Sequence, residues 1–210
     1  MVLAGLMVGL FVPATAQAGG SSTLYFACAS CHGVKAEGNK VKNGPALAGL
    51  DAGYLNTQML AYKYDRRGVF VKDRYGKQMA LIAKAYSDEQ IRLLADYIAG
   101  LAPPPRSMPV QTPEAILARA NIANGENLYQ LCAACHGAQA EGNKAMQSPR
   151  LDILDAPYLV RQLQHYRDGL RGYHPDDDAG RNMAAIMQGE TGLDKNIIDV
   201  TAYILSLQGK

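Results

Sequence analysis

The 210 residues predict an all-α chain of two tandem domains built to one design, and three observations carry that expectation. A five-residue motif, Cys28-Ala29-Ser30-Cys31-His32, returns as Cys132-Ala133-Ala134-Cys135-His136. A constant shift of 104 residues aligns the chain around these motifs as well as the motifs themselves. Each copy then closes on a segment whose apolar residues recur at helical spacing.

Read as a unit, Cys-x-x-Cys-His is the attachment signal of a c-type haem, with two thiols to bond the porphyrin's vinyl groups and an imidazole to ligate its iron. On a helix the two sulfurs sit three residues apart and the histidine one further on, so all three can address one haem. A thioredoxin-like dithiol would want a βαβ setting, and half of a zinc site would want a second pair converging on one metal. Neither accounts for a histidine directly after the second cysteine, twice. The expectation is two covalently bound haem c groups, attached through Cys28, Cys31, Cys132 and Cys135 and ligated by His32 and His136. The motifs use all four cysteines of the chain, which leaves no structural disulfide and no spare thiolate.

Each half has fewer than about a hundred residues, a size at which an apolar core alone gives modest stability. A buried haem supplies the missing apolar body. Ahead of the first half, Val2 to Val12 is apolar, Pro13 breaks the run, and Ala16-Gln17-Ala18 precedes Gly19-Gly20. A run this short, ending in Ala-x-Ala, reads as a secretory signal over residues 1–18, because a membrane span needs roughly 20 apolar residues. No Lys or Arg precedes the run, which leaves room for a start upstream of Met1. The competing reading is an uncleaved anchor. In both cases the rest of the chain faces the oxidising side of a membrane, and the expected location is the periplasm, exported or membrane-associated. Net charge is +2, without a basic stripe interleaved with aromatics, which argues against nucleic acid as a partner. The halves differ: residues 19–102 hold 11 basic and 7 acidic side chains, residues 113–210 hold 9 and 12.

Taken in order, Ser21-Ser22-Thr23 offers capping hydroxyls for a first helix running into the motif, as Asn124 or Asn127 does in the second copy. A polar, Gly- and Asn-containing loop follows, ending at Pro45 or Pro149. A middle helix is predicted from about Asp51 to Tyr64; in its counterpart Asp155 caps and Pro157 sits in the first turn. Ser87-Asp88-Glu89-Gln90 is a capping box for the last helix, with Ile91, Leu94, Ala95, Ile98 and Leu101 on one face. Ile197, Val200, Thr201, Ile204 and Leu207 repeat that stripe after a two-residue insertion near Thr191-Gly192. The four prolines among residues 103–109 favour a semi-rigid spacer, so the domains are expected at 19–102 and 113–210 with a linker at 103–112. Residues 113–123 read as a helix entering the second domain.

A histidine alone leaves the sixth position of the iron open. Met79 and Met183 are the candidates to fill it, since each lies 47 residues beyond its motif histidine, in what reads as a loop before the last helix. A thioether there favours reduced iron and raises the potential, and a filled site blocks dioxygen and peroxide. Met187 has Ala83 opposite it in the first copy, and Met59 and Met146 pair with Leu163 and Lys42, which marks them as packing or surface residues. His165 and His174 pair with Ala61 and Phe70, so they read as surface or loop histidines and not as ligands.

With these residues in view, the chain after residue 18 resembles the dihaem class I cytochromes c of the cytochrome c4 type. The resemblance rests on the two motifs, on Gly44-Pro45 and Ser148-Pro149, on Met79 and Met183, and on Ala95-Asp96-Tyr97 and Thr201-Ala202-Tyr203. It implies two class I cytochrome c domains, each wrapped around a covalent haem. It implies also that the carbonyls of Pro45 and Pro149 accept the second ring N–H of each proximal histidine, and that the domains meet with haem propionates facing each other. The function it implies is electron transfer between a respiratory donor, either a quinol-oxidising complex or a dehydrogenase, and a terminal oxidase or other acceptor. Lys63, Arg66, Arg67, Lys72, Arg74 and Lys77 are candidates to steer an acidic partner. The alternative is a dedicated cytochrome subunit of a dehydrogenase, flavocytochrome-type, with membrane association through that complex or through an uncleaved N-terminus. A dihaem enzyme such as a peroxidase fits less well, because both copies carry the same methionine.

Overall fold

Each half of the chain is a set of helices folded back on the one that carries its motif. A computed structural model describes residues 15–104 and 115–208. The expected leader therefore lies mostly outside the described residues, as do most of the expected linker and the first two residues of the helix predicted at 113–123.

In the first half α1 (Thr15–His32), α2 (Ala52–Lys63), α3 (Arg74–Lys84) and α4 (Asp88–Ala99) follow one another. The second half repeats them as α5 (Ile122–His136), α6 (Ala156–Arg167), α7 (Asp178–Met187) and α8 (Asp194–Ser206). Among the described residues no strand forms; the Asn-containing loops hold only the isolated bridges Asn39–Gly44 and Asn143–Ser148.

The caps explain most of the helix starts. Asp51 and Asp155 each accept the amide N–H three residues on, at 3.2 and 2.8 Å. The Ser87–Gln90 box makes both of its reciprocal bonds. Four starts differ from the sequence expectation. Helix α1 is already formed at Thr15, so Ser21, Ser22 and Thr23 lie within it and their amides bond inside the helix. The cap of α5 is Asn121, which accepts from the amide of Asn124 at 3.1 Å; the segment before it makes only a 3-10 turn at Ala115–Leu117. Met79 and Met183 stand on helices α3 and α7 and not in loops, because Asp73 and Asp177 cap those segments through the amides of Gly76 and Gly180.

The closing helix of each half crosses its motif helix, with the rings of Tyr25 and Tyr97 5.8 Å apart and those of Tyr129 and Tyr203 5.4 Å apart. Ile91, Leu94, Ala95 and Ile98 are buried along α4, and Ile197, Val200, Thr201 and Ile204 along α8, as the apolar stripes require. The two-residue insertion becomes a 3-10 turn at Glu190–Gly192, followed by α8. Met187 is buried against Val160, Tyr166 and Ile197, which makes it core.

The second crossing is the tighter of the two. Asp199, fully buried, takes the amide of Asn121 and the side chains of Asn124 and Lys195, each at 2.7 Å, and so ties α8 to the start of α5. Gly125 makes this approach possible: a Cβ there would stand 2.1 Å from the carbonyl oxygen of Asp199. Gly125→Val should therefore cost about 2 kcal/mol or more by overpacking. Gly189→Ala, with open space around it, should change stability by less than about 0.5 kcal/mol. Thermal unfolding of the two variants side by side checks this.

Candidate functional site: two haem sites meeting at the domain interface

The motif helix and the loop after it build the first site. Cys28, Cys31 and His32 occupy the last turn of α1, and the loop folds back beneath them so closely that a Cβ on Gly44 would lie 1.8 Å from the carbonyl of Cys31. That return brings Pro45 to His32, whose Nδ1–H donates to the Pro45 carbonyl at 2.9 Å. His136 makes the same bond to Pro149 at 2.8 Å. With Nδ1 occupied, Nε2 is the ring nitrogen left with a lone pair. Burial holds both imidazoles below their ordinary pKa, against the opposing pull of the proline carbonyls, which keeps them neutral as ligation requires. Burial also pushes the Cys132 thiol up to about 11 and that of Cys28 in the same direction, so neither is a reactive thiolate.

A cavity of about 190 Å³ begins at this turn, with Cys28, Cys31, His32 and Met79 all on its wall. Leu47, Leu55, Leu94 and Ile98 make its sides apolar. Polar residues of both halves line it as well: Tyr54, Gln58 and Arg67 from the first, Tyr158, Arg161 and Gln162 from the second. The Nε atoms of Arg67 and Arg161 are buried there without a hydrogen-bond acceptor. Apolar walls with unsatisfied cationic donors among them suit an apolar body that carries carboxylates, as a haem does. In the second half Cys132, Cys135, His136, Pro149 and Met183 hold the corresponding positions.

Several residues expected at the surface are buried or engaged. Arg67 is only 4% exposed, because it turns into the domain interface, and so it does not steer a partner. Lys63 pairs with Asp88, and Arg66 lies 3.9 Å from Asp176 of the other half. Lys72, Arg74 and Lys77 do face solvent. His165 is buried too, its Nδ1 3.8 Å from Asp73 across the interface; it is not a surface histidine, since α6 packs on the first half at that point. Burial lowers its pKa, with Asp73 opposing and Arg161 adding to the effect. His174 stays half-exposed in a loop, near Asp176.

The interface residues that sequence reasoning missed are Tyr54, Gln58, Tyr158, Arg161, Gln162 and Arg171. Their signal was present: Gln58 with Gln162, and Arg67 with Arg171, are identical polar residues at the repeat distance of 104, outside the motifs.

Two small helical domains, each with a Cys-x-x-Cys-His turn whose histidine bonds a proline carbonyl, and an apolar cavity against the first of these turns, define the class of a dihaem c-type cytochrome. A family model described as Cytochrome c matches residues 20–102 and again 122–208, and the chain belongs to that family. It is 32% identical to a thiosulfate dehydrogenase electron acceptor of Stutzerimonas stutzeri (strain A1501), covering 82% of this chain and 77% of that one. It is 28% identical to cytochrome c4 of Azotobacter vinelandii, covering 86% and 84%. The crystal structure of reduced recombinant cytochrome c4 from Pseudomonas stutzeri superposes with a TM-score of 0.67 at 24% identity, over 90% of this chain and 97% of that one. Within the family, then, this is a cytochrome c4-like electron carrier with two covalent haem c groups.

The approach of Gly44 to the motif is peculiar to the first half, since Ser148 stands at its counterpart and carries a Cβ. Gly44→Ser should force the loop off Cys31 and lower the haem bound per chain, whereas Ser148→Gly should leave it unchanged. Haemochrome absorbance per polypeptide measures both.

Proposed function

We propose that the protein works in the periplasm, taking electrons from a respiratory donor and handing them to a terminal oxidase or other acceptor without transforming a substrate. In this reading Cys28 and Cys31, and likewise Cys132 and Cys135, hold the haems by thioether bonds. His32 and His136 would each give an iron a nitrogen ligand, and Met79 and Met183 a sulfur ligand. The observation that supports it is the convergence of Cys28, Cys31, His32 and Met79 on one apolar cavity. A haem bound there would supply a one-electron ferrous–ferric couple, with these residues as the ligands of its iron.

The protein's own part follows from its geometry. The Pro45 and Pro149 carbonyls hold each imidazole in one orientation and raise its basicity. Apolar walls exclude water, and a thioether on the far side favours the reduced state. With a histidine and a methionine holding the iron, no position would be left for dioxygen or peroxide, which favours a carrier over an enzyme. Lys72, Arg74 and Lys77, exposed on or beside the Met79 helix, give an acidic partner a basic face to approach. Among the described residues no helix is long and apolar enough to cross a membrane, so association with one would come through a partner complex or through the N-terminal segment.

Among donors, a dehydrogenase has support of its own, because the Stutzerimonas relative is named as the electron acceptor of thiosulfate dehydrogenase. The chain would then act either as a mobile acceptor or as a dedicated subunit; co-purification with a larger chain separates the two.

Met79→Ala and Met183→Ala test the ligand assignment. Each should remove about half of the weak sulfur-to-iron band of the ferric spectrum and open one ferrous haem to carbon monoxide, which the native protein should not bind. An unaltered ferric spectrum in the double variant would overturn the assignment.

A further inference from the structure

Where the halves meet, two guanidinium groups and two amides close a ring. The Arg67 fork donates to Gln58 Oε1 at 2.6 Å and to Gln162 Oε1 at 2.8 Å. Arg171 donates to the same two oxygens in the opposite sense, at 3.0 Å to Gln162 and 2.9 Å to Gln58. Each amide oxygen thus accepts from one arginine of its own half and one of the other. Both arginines are about 95% buried, and among the described residues neither has a carboxylate within ion-pairing distance. Two like charges taken out of water call for anions nearby, since unpaired buried charge is costly.

Each arginine also borders the cluster that its half packs beside the candidate methionine. The Arg67 guanidinium lies 4.5 Å from the centre of the Tyr62 ring, and Tyr62 belongs to the apolar cluster on which Met79 packs. Arg171 lies 4.5 Å from the centre of the Tyr166 ring, and Tyr166 belongs to the cluster on which Met183 packs. Gln58, Arg67 and Gln162 line the first haem cavity.

We propose that the ring of Arg67, Gln58, Arg171 and Gln162 is one electrostatic element shared by both haems, which holds carboxylates of each and stabilises both ferrous states, so that either arginine sets both potentials. This rests on the two-haem reading above. The rival is two private counter-ions, one arginine serving one haem. A positive charge at a shared buried position favours gain of an electron at either iron, and the low local dielectric lets it act across the interface. Arg67 and Arg171 are positioning residues in this scheme and touch no reacting atom.

Redox titration of the holoprotein, with each wave assigned by the haem-methyl NMR shifts of the ferric state, tests it. Arg67→Gln should lower both midpoint potentials, by shifts that agree within about twofold, and Arg171→Gln should do the same; Arg67→Lys should keep most of the native value. A shift confined to one haem, no shift at all, or an Arg67→Lys protein as low as Arg67→Gln would overturn the proposal. Should the neutral variants fail to load two haems, Gln58→Glu puts a carboxylate into the intact ring and should lower both potentials together; a fall at one haem alone would again overturn it. Native protein with fewer than two haems per chain would instead strike at the two-haem reading, and haemochrome analysis reports that separately.

Discussion

A half-chain of under about a hundred residues has to enclose a body as large as a porphyrin, and most of the architecture answers to that requirement. The motif helix ends where the wall must begin. The loop after it has to return under the last turn, which it does through the contact of Gly44 with Cys31 and the bond from His32 to Pro45. The methionine helix and the closing helix supply the opposite side, so that a short cap at Asp73 or a capping box at Ser87 becomes part of how the cavity keeps its shape. Side chains that would otherwise fill a core are spread around a slot, and the apolar clusters of the first half form its wall.

The interface between the halves obeys a different constraint. It is not an apolar seam; its centre is the arginine and glutamine ring, flanked by Arg161 over Tyr75 at 4.7 Å and by Tyr173, whose hydroxyl donates to the Asp65 carbonyl at 2.8 Å. Phe70 and Tyr173 meet edge to face at 4.9 Å beside it. A polar centre is where the carboxylate ends of two cofactors can approach one another without being left in an apolar medium.

The copies have diverged without losing this plan. The second half adds a 3-10 turn at Glu190–Gly192 and a buried Asp199 that clamps α8 to α5. The first half keeps the exposed basic residues Lys72 and Arg74, where the second has Asp176 and Asp178. The two halves therefore carry opposite charge at equivalent positions, although they share one plan.

Much of this was legible from residues alone. Cys28-Ala29-Ser30-Cys31-His32 and its repeat carry their chemistry within five residues, and the shift of 104 delivers the domain plan, because both are local or periodic properties that survive without coordinates. The capping box at Ser87 and the stripe from Ile91 to Ile98 are local in the same sense. Tertiary structure alone decided where Arg67 and His165 go. A charged or titratable side chain after a helix reads as solvated until another element covers it, and the element that covers Arg67 lies about a hundred residues away, in the second copy. It decided too that Asp73, which caps the Met79 helix through the Gly76 amide, is buried beside His165 of the second half.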